Sequence, residues 1–174
     1  MPDTSLLTIA LTCAVAEDAG WHSGAPANLT IEFLEMDTES VSCRLSVAVE
    51  EVVFSNVRSI FLSELRELAE ALSRLRKTLE GSVRLYDFDG APILTFTVVD
   101  QGRGRIAVGG NFHPLVFFSN TTSSDQFISP DICGAPTGVR IAFEGLVCEQ
   151  SHLPDLYAPI ARWVGAIRED RTRP

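Results

Sequence analysis

Apolar residues at Phe61, Leu65, Leu68, Leu72, Leu75 and Leu79 recur at alternating spacings of four and three. That period lays one apolar stripe along an α-helix, so the pattern predicts a helix over 61–79. Glu64, Glu67 and Glu70 occupy its first half, and Arg74, Arg76 and Lys77 its last turns. This order suits the helix dipole. Gly81 is placed as the left-handed stop beyond it, with Ser59 or Asn56 as the upstream cap.

Elsewhere the period is two. Residues 6–13 form an apolar run that reads as a first strand, and the Gly, Pro and Ser content of 14–27 reads as a loop. In 28–36, Leu29, Ile31 and Phe33 alternate with Thr30 and Glu32, a strand with one wet face. A polar turn at 37–40 leads into a strand over 41–54, with Val41, Cys43, Leu45, Val47 and Val49 inward. After the helix, segments 82–88, 93–100 and 103–112 are short strands parted by the turn-forming DGAP and QGRG. Residues 111–138, with three prolines and the run SNTTSSD, read as an irregular loop. A last strand covers 139–149, with Val139, Ile141, Phe143 and Val147 on one face. A second helix carries Leu156, Ile160, Trp163, Val164 and Ile167, and a polar tail covers 168–174.

The strands cluster instead of alternating with helices. The expected fold is therefore α+β in a single domain spanning 1–174. It has an antiparallel sheet of about six strands, the long amphipathic helix packed on one face, and a C-terminal helix. The helical stripe also has coiled-coil spacing, which leaves a homodimer open.

Composition narrows the partners. The chain has 174 residues, 45% apolar and 21% charged, with a formal net charge of −9. Such a chain can fill a core, and its charge argues against nucleic acid or an anionic membrane as partner. The charge favours a basic protein or a cationic ligand. No apolar run reaches the length of a membrane span. The N-terminal apolar run lacks the basic residues that open a signal peptide. Cys13, Cys43, Cys133 and Cys148 show no CxxC or other metal-ligand spacing. They read as reduced thiols of a cytoplasmic protein.

No segment spells out a catalytic set. Asp87-Phe88-Asp89-Gly90 has the order of the nucleophile motif of haloacid-dehalogenase-type phosphatases. That chemistry needs a downstream Lys, and Lys77, the single lysine, precedes it. The segment instead reads as a β-turn between strands. The glycines at 102, 104, 109 and 110 do not form GxGxxG, no GxSxG elbow occurs, and His22, His113 and His152 are far apart. No catalytic, cofactor-binding or metal-ligating residue is assigned, and no cofactor is expected.

The order of the ELRELAEAL helix, a strand, DFDG, LTFTV and GRGRIAVGG, followed late by VRIAFEG and a C-terminal helix, resembles the bacterial WapI-type immunity proteins and related uncharacterised bacterial families. The resemblance covers about 41–110 and 139–167. It implies a non-enzymatic cytoplasmic protein that binds and neutralises the toxic domain of a contact-dependent toxin. The acidic charge would suit a basic nuclease domain. On charge alone, the candidate contact residues are Asp87 and Asp89 at one hairpin tip and Glu35, Asp37 and Glu39 at the other turn. Two alternatives stand beside this reading. One is a small-molecule-binding module with Trp21 or His113 at the rim of a pocket; the other is a homo-oligomer joined through the heptad stripe.

Overall fold

The computed structural model describes residues 6–17, 20–112 and 141–172. Four strands come first: β1 (Leu6–Glu17), β2 (Gly20–Met36), β3 (Ser40–Val49) and β4 (Val52–Phe61). Helix α1 (Leu62–Thr78) separates them from β5 (Ser82–Tyr86), β6 (Pro92–Asp100), β7 (Arg105–Phe112) and β8 (Ile141–Glu149). A 3-10 turn over Gln150–His152 leads into α2 (Leu153–Thr172). The fold is α+β, with one antiparallel sheet and two helices. No helix among the described residues is long and apolar enough to cross a membrane.

The sheet has eight strands where the pattern predicts about six. One departure adds a strand, and a second lengthens β1 and β2. The stretch expected as one strand over 41–54 reverses at Glu50-Glu51, because Val49 pairs with Val52 and leaves a two-residue turn. Glu-Glu is a poor turn sequence, and Glu50 takes a φ of 53° that favours glycine or asparagine. Nothing in the residue types announces it. The expected loop over 14–27 is largely strand, with Ala14 to Glu17 pairing Ser23 to Gly20. Pro26 is tolerated there because β3 ends opposite Ala27, so β2 meets only β1 beyond it.

Strand order is β4-β3-β2-β1-β8-β7-β6-β5. Each pair of neighbours is consecutive in sequence except β1 and β8. That is the order of an up-and-down barrel interrupted at one place, between β4 and β5, where α1 intervenes. The ends of the sheet approach each other there. The Phe88 N–H, just past β5, donates to the Ser59 carbonyl of β4 at 2.8 Å.

Both helices bury apolar stripes. Leu65, Leu68, Ala69, Leu72 and Leu75 of α1 are buried, as are Leu153, Leu156 and Ile160 of α2. They share a core with Leu29, Ile31, Val41, Cys43, Leu45, Leu85, Phe96 and Ile106 of the sheet. At about 1.5–3 kcal/mol for each large apolar side chain, this layer is the main source of stability. Trp163 extends it by stacking on Phe33 with centroids 4.4 Å apart and planes 8° from parallel.

Local details differ from the sequence expectation. Helix α1 starts after Phe61, which carries no side-chain cap, and both Ser59 and Asn56 lie in β4. Its left-handed C-cap is Leu79, at φ 51°, two residues before the expected Gly81. In β8 the expected face is broken by a bulge: Gly110 pairs with Phe143, but Val108 pairs with Leu146. Gly145, at φ 75°, lies in the extra step. Phe143 therefore packs on the core together with Leu146 and Cys148, and Val147 takes the other face. Gly110 accommodates this ring, since a Cβ there would lie 2.5 Å from Phe143. Helix α2 runs through Pro159 and extends to Thr172, into the stretch expected as tail. The expected loop over 111–138 falls almost wholly outside the described residues.

Candidate functional site

The turn between β5 and β6 is built on one carboxylate. Asp87 Oδ1 accepts from the backbone N–H groups of Asp89, at 3.1 Å, and Ala91, at 2.8 Å. The Asp87 N–H donates to the Ala91 carbonyl at 2.9 Å, and the Gly90 N–H donates to the Asp87 carbonyl at 3.0 Å. Gly90 supplies the required φ of 78°. The Asp-Phe-Asp-Gly segment is thus a self-capped turn, as its sequence predicts. The other Asp87 oxygen faces Arg58 Nη1 of β4 at 3.8 Å, and both side chains are buried.

The turn between β2 and β3 uses the same chemistry. Asp37 Oδ1 accepts from the Thr38 N–H at 2.6 Å, and the Asp37 N–H donates to the Ser40 carbonyl at 2.9 Å. The Glu39 carbonyl takes the Leu62 N–H at 2.9 Å, fixing the start of α1 to this turn. Ser40 is paired with Phe61, whose ring stacks on Phe88 with centroids 4.4 Å apart. A hollow of about 260 Å³ lies between the turns, lined by Ser40, Arg58, Ser59, Asp87, Phe88 and Asp89. Turns some fifty residues apart in sequence are therefore neighbours where the ends of the sheet meet.

The five acidic candidates separate into two groups. Glu35, Asp37, Glu39 and Asp89 are exposed. Asp87 is only 5% exposed, so its carboxylate holds the turn and faces Arg58, withdrawn from any partner. Charge counting missed two residues. Arg58 lies buried on the inward face of β4 beside Asp87, and its alternation with Asn56 and Ile60 was the available signal. Phe88 is 54% exposed, an aromatic tip between two aspartates. Leu34 and Met36 are also exposed beside the acidic β2–β3 turn. The two turns thus expose both acidic and apolar side chains.

A second concavity, a groove of about 960 Å³, runs between α1 and α2. Ala69, Ala158, Ala161 and Gly165 keep it open, and Arg66, Glu70 and Arg74 stand along its α1 side. It lies on the helices, away from the sheet-and-loop pocket that the small-molecule alternative supposes. His113 and the Trp21 side chain fall outside the described residues. The heptad stripe is closed off in the core, so it offers no free coiled-coil seam.

Burial pushes the thiols of Cys43 and Cys148 up to about 12, which keeps them protonated and poorly nucleophilic. Among the described residues, no group of three His, Cys, Asp or Glu side chains is placed to hold a metal ion. Cys133 falls outside the described residues. No family model, no curated protein and no solved structure matches the chain.

Proposed function

We propose that the chain is a protein-binding protein whose partner is a basic domain, docked on the end of the sheet where the two acidic turns meet. The observation that carries this reading is the meeting of the β2–β3 and β5–β6 turns, where Ser40 and Asp89 line one hollow beside the exposed Phe88. Interfaces are anchored by desolvated aromatic side chains and steered by complementary charge at the rim. The β2–β3 and β5–β6 turns supply both elements. The hydrogen-bonded caps at Asp37 and Asp87 hold them in place, so little ordering is needed on binding.

The immunity-type role implied by the sequence resemblance fits this surface. An acidic protein that covers the nucleic-acid site of a basic nuclease would neutralise it without any catalytic group of its own. Co-expression with toxin domains encoded beside the gene tests the reading. The chain should restore growth, and Phe88→Ala combined with Asp89→Lys should abolish the rescue while leaving the fold intact. Failure to protect against, or to bind, any such domain would remove this role.

One observation favours a second reading: the groove between the helices has the volume of a ligand site. An apolar ligand retained through purification and released on denaturation would support it. A groove that holds only water would not.

A further inference from the structure

The groove between α1 and α2 carries a cost that packing does not explain. Gly165 sits in the interior of α2, where glycine weakens a helix more than any residue but proline. Its φ is not left-handed, and among the described residues a Cβ there would meet nothing within 4 Å. Neither a turn nor a close approach therefore requires a glycine at this place. Gly165 lines the groove with Ala158 and Ala161, so that side of α2 is cut back to backbone and methyl groups. Val164 and Ile167 keep it apolar. What the glycine provides is open space.

The two sides of the groove differ in charge. Among the described residues, α2 adds no charged side chain to the lining. α1 adds Arg66, Glu70 and Arg74, all exposed and about one turn apart, two cations to one anion. No ion pair joins Glu70 to either guanidinium among the described residues. Where α1 ends, Arg76 Nη1 donates to Tyr157 Oη at 3.4 Å, which leaves the phenolic proton to donate in turn. The start of α2 lies at the same end and offsets the negative pole of α1. Arg74, Arg76 and Tyr157 thus gather donors and positive charge at one end of an apolar trough. The sign is opposite to that of the whole chain, whose net charge is −9.

We propose that this groove binds an aliphatic chain with an anionic head, of the fatty-acid type. Its carboxylate lies at Arg74 and Tyr157, and its tail runs along α1 toward Leu62. The proposal rests on the ligand reading of the groove and is separate from the docking of a basic partner at the end of the sheet. Length agrees with it. From Leu62 to Arg74 the groove follows α1 for about 18 Å at the helical rise. At about 1.2 Å per bond, as in extended backbone, that span takes a chain of roughly fourteen carbons. The volume of about 960 Å³ leaves room for it. Arg66 stands beside the tail, where its methylene stem covers apolar surface while the guanidinium reaches water.

Displacement of a neutral apolar dye from the delipidated chain tests the proposal, with tetradecanoate, tetradecanol and tetradecyltrimethylammonium as probes below their micellar concentrations. The carboxylate should bind tighter than the alcohol by about fivefold, as a partly exposed ion pair supplies, and the cation should bind weakest. Arg74→Glu, at an exposed position, should remove the preference for the carboxylate and keep alcohol binding. Gly165→Leu fills open space and favours the helix, so it should keep the circular dichroism of the unchanged chain. It should weaken all three probes by more than about tenfold, since it displaces several buried methylenes. Equal binding of carboxylate and alcohol, or a preference that survives Arg74→Glu, would overturn the anionic head and leave the groove to neutral apolar ligands. Binding of no probe, or binding indifferent to Gly165→Leu, would overturn both the proposal and the ligand reading on which it rests.

Discussion

Asp87 shows how one carboxylate can be committed by its surroundings. Its Oδ1 caps two backbone N–H groups and its Oδ2 faces Arg58, with both side chains buried. Removing one side of such a pair leaves a desolvated charge behind. Asp87→Ala should therefore cost about 2–4 kcal/mol in urea unfolding. Asp87→Asn keeps an oxygen for the turn and should cost less, while the exposed Asp89→Asn should change stability by under about 0.5 kcal/mol. Equal losses at positions 87 and 89 would contradict this division of roles. The buried thiols give a pH dependence with a definite sign. In the unfolded chain Cys43 and Cys148 ionise near 9; in the folded chain they resist until about 12. The folded state then binds more protons than the unfolded one between those values. Stability is fully present below pH 9 and falls toward pH 12, by roughly 1.4 kcal/mol per pH unit for each thiol. Cys43→Ala should flatten the alkaline limb of the denaturation curve.

At the scale of elements, what could be read from the sequence followed period and turn chemistry. Helix α1 was legible because Leu65, Leu68, Leu72 and Leu75 keep a helical spacing that only a buried stripe requires. Leu72→Ala should cost about 2–5 kcal/mol, since Leu72 is fully buried between helix and sheet. The turn at Asp87-Gly90 was legible because Asp and Gly each meet a known backbone demand. β4 was not legible, because Glu50-Glu51 gives no turn signal and the helical stripe appeared to begin at Phe61. Tertiary pairing imposes that turn on unfavourable residues. Glu50→Gly should accordingly stabilise the protein by up to about 1 kcal/mol, because Glu50 is exposed and its left-handed strain would be relieved. A loss of stability would show that the Glu50 side chain contributes something its exposure does not reveal. The face of β8 was misassigned for a related reason, since a bulge at Gly145 shifts parity by one residue. Of the site, the exposed acids were legible as charge. The adjacency of their turns was not, because it depends on the ends of the sheet meeting.

At the scale of the molecule, that meeting makes neighbours of the β2–β3 and β5–β6 turns. The sheet has the order of a barrel, is interrupted by α1, and is held across the gap by the Phe88–Ser59 hydrogen bond, the Arg58–Asp87 pair and the Phe61–Phe88 stack. The closure builds the candidate docking surface with the residues that complete the fold. The most direct test is titration calorimetry of the chain against purified basic toxin domains encoded beside its gene, at low and high salt. It should be repeated with Phe88→Ala and with Asp89→Lys. The account predicts binding that weakens as salt rises, falls by more than about tenfold on loss of the Phe88 ring, and weakens again on charge reversal at Asp89. Binding unchanged by salt and by both substitutions would contradict the assignment of this surface, and no binding to any such domain would contradict the function itself.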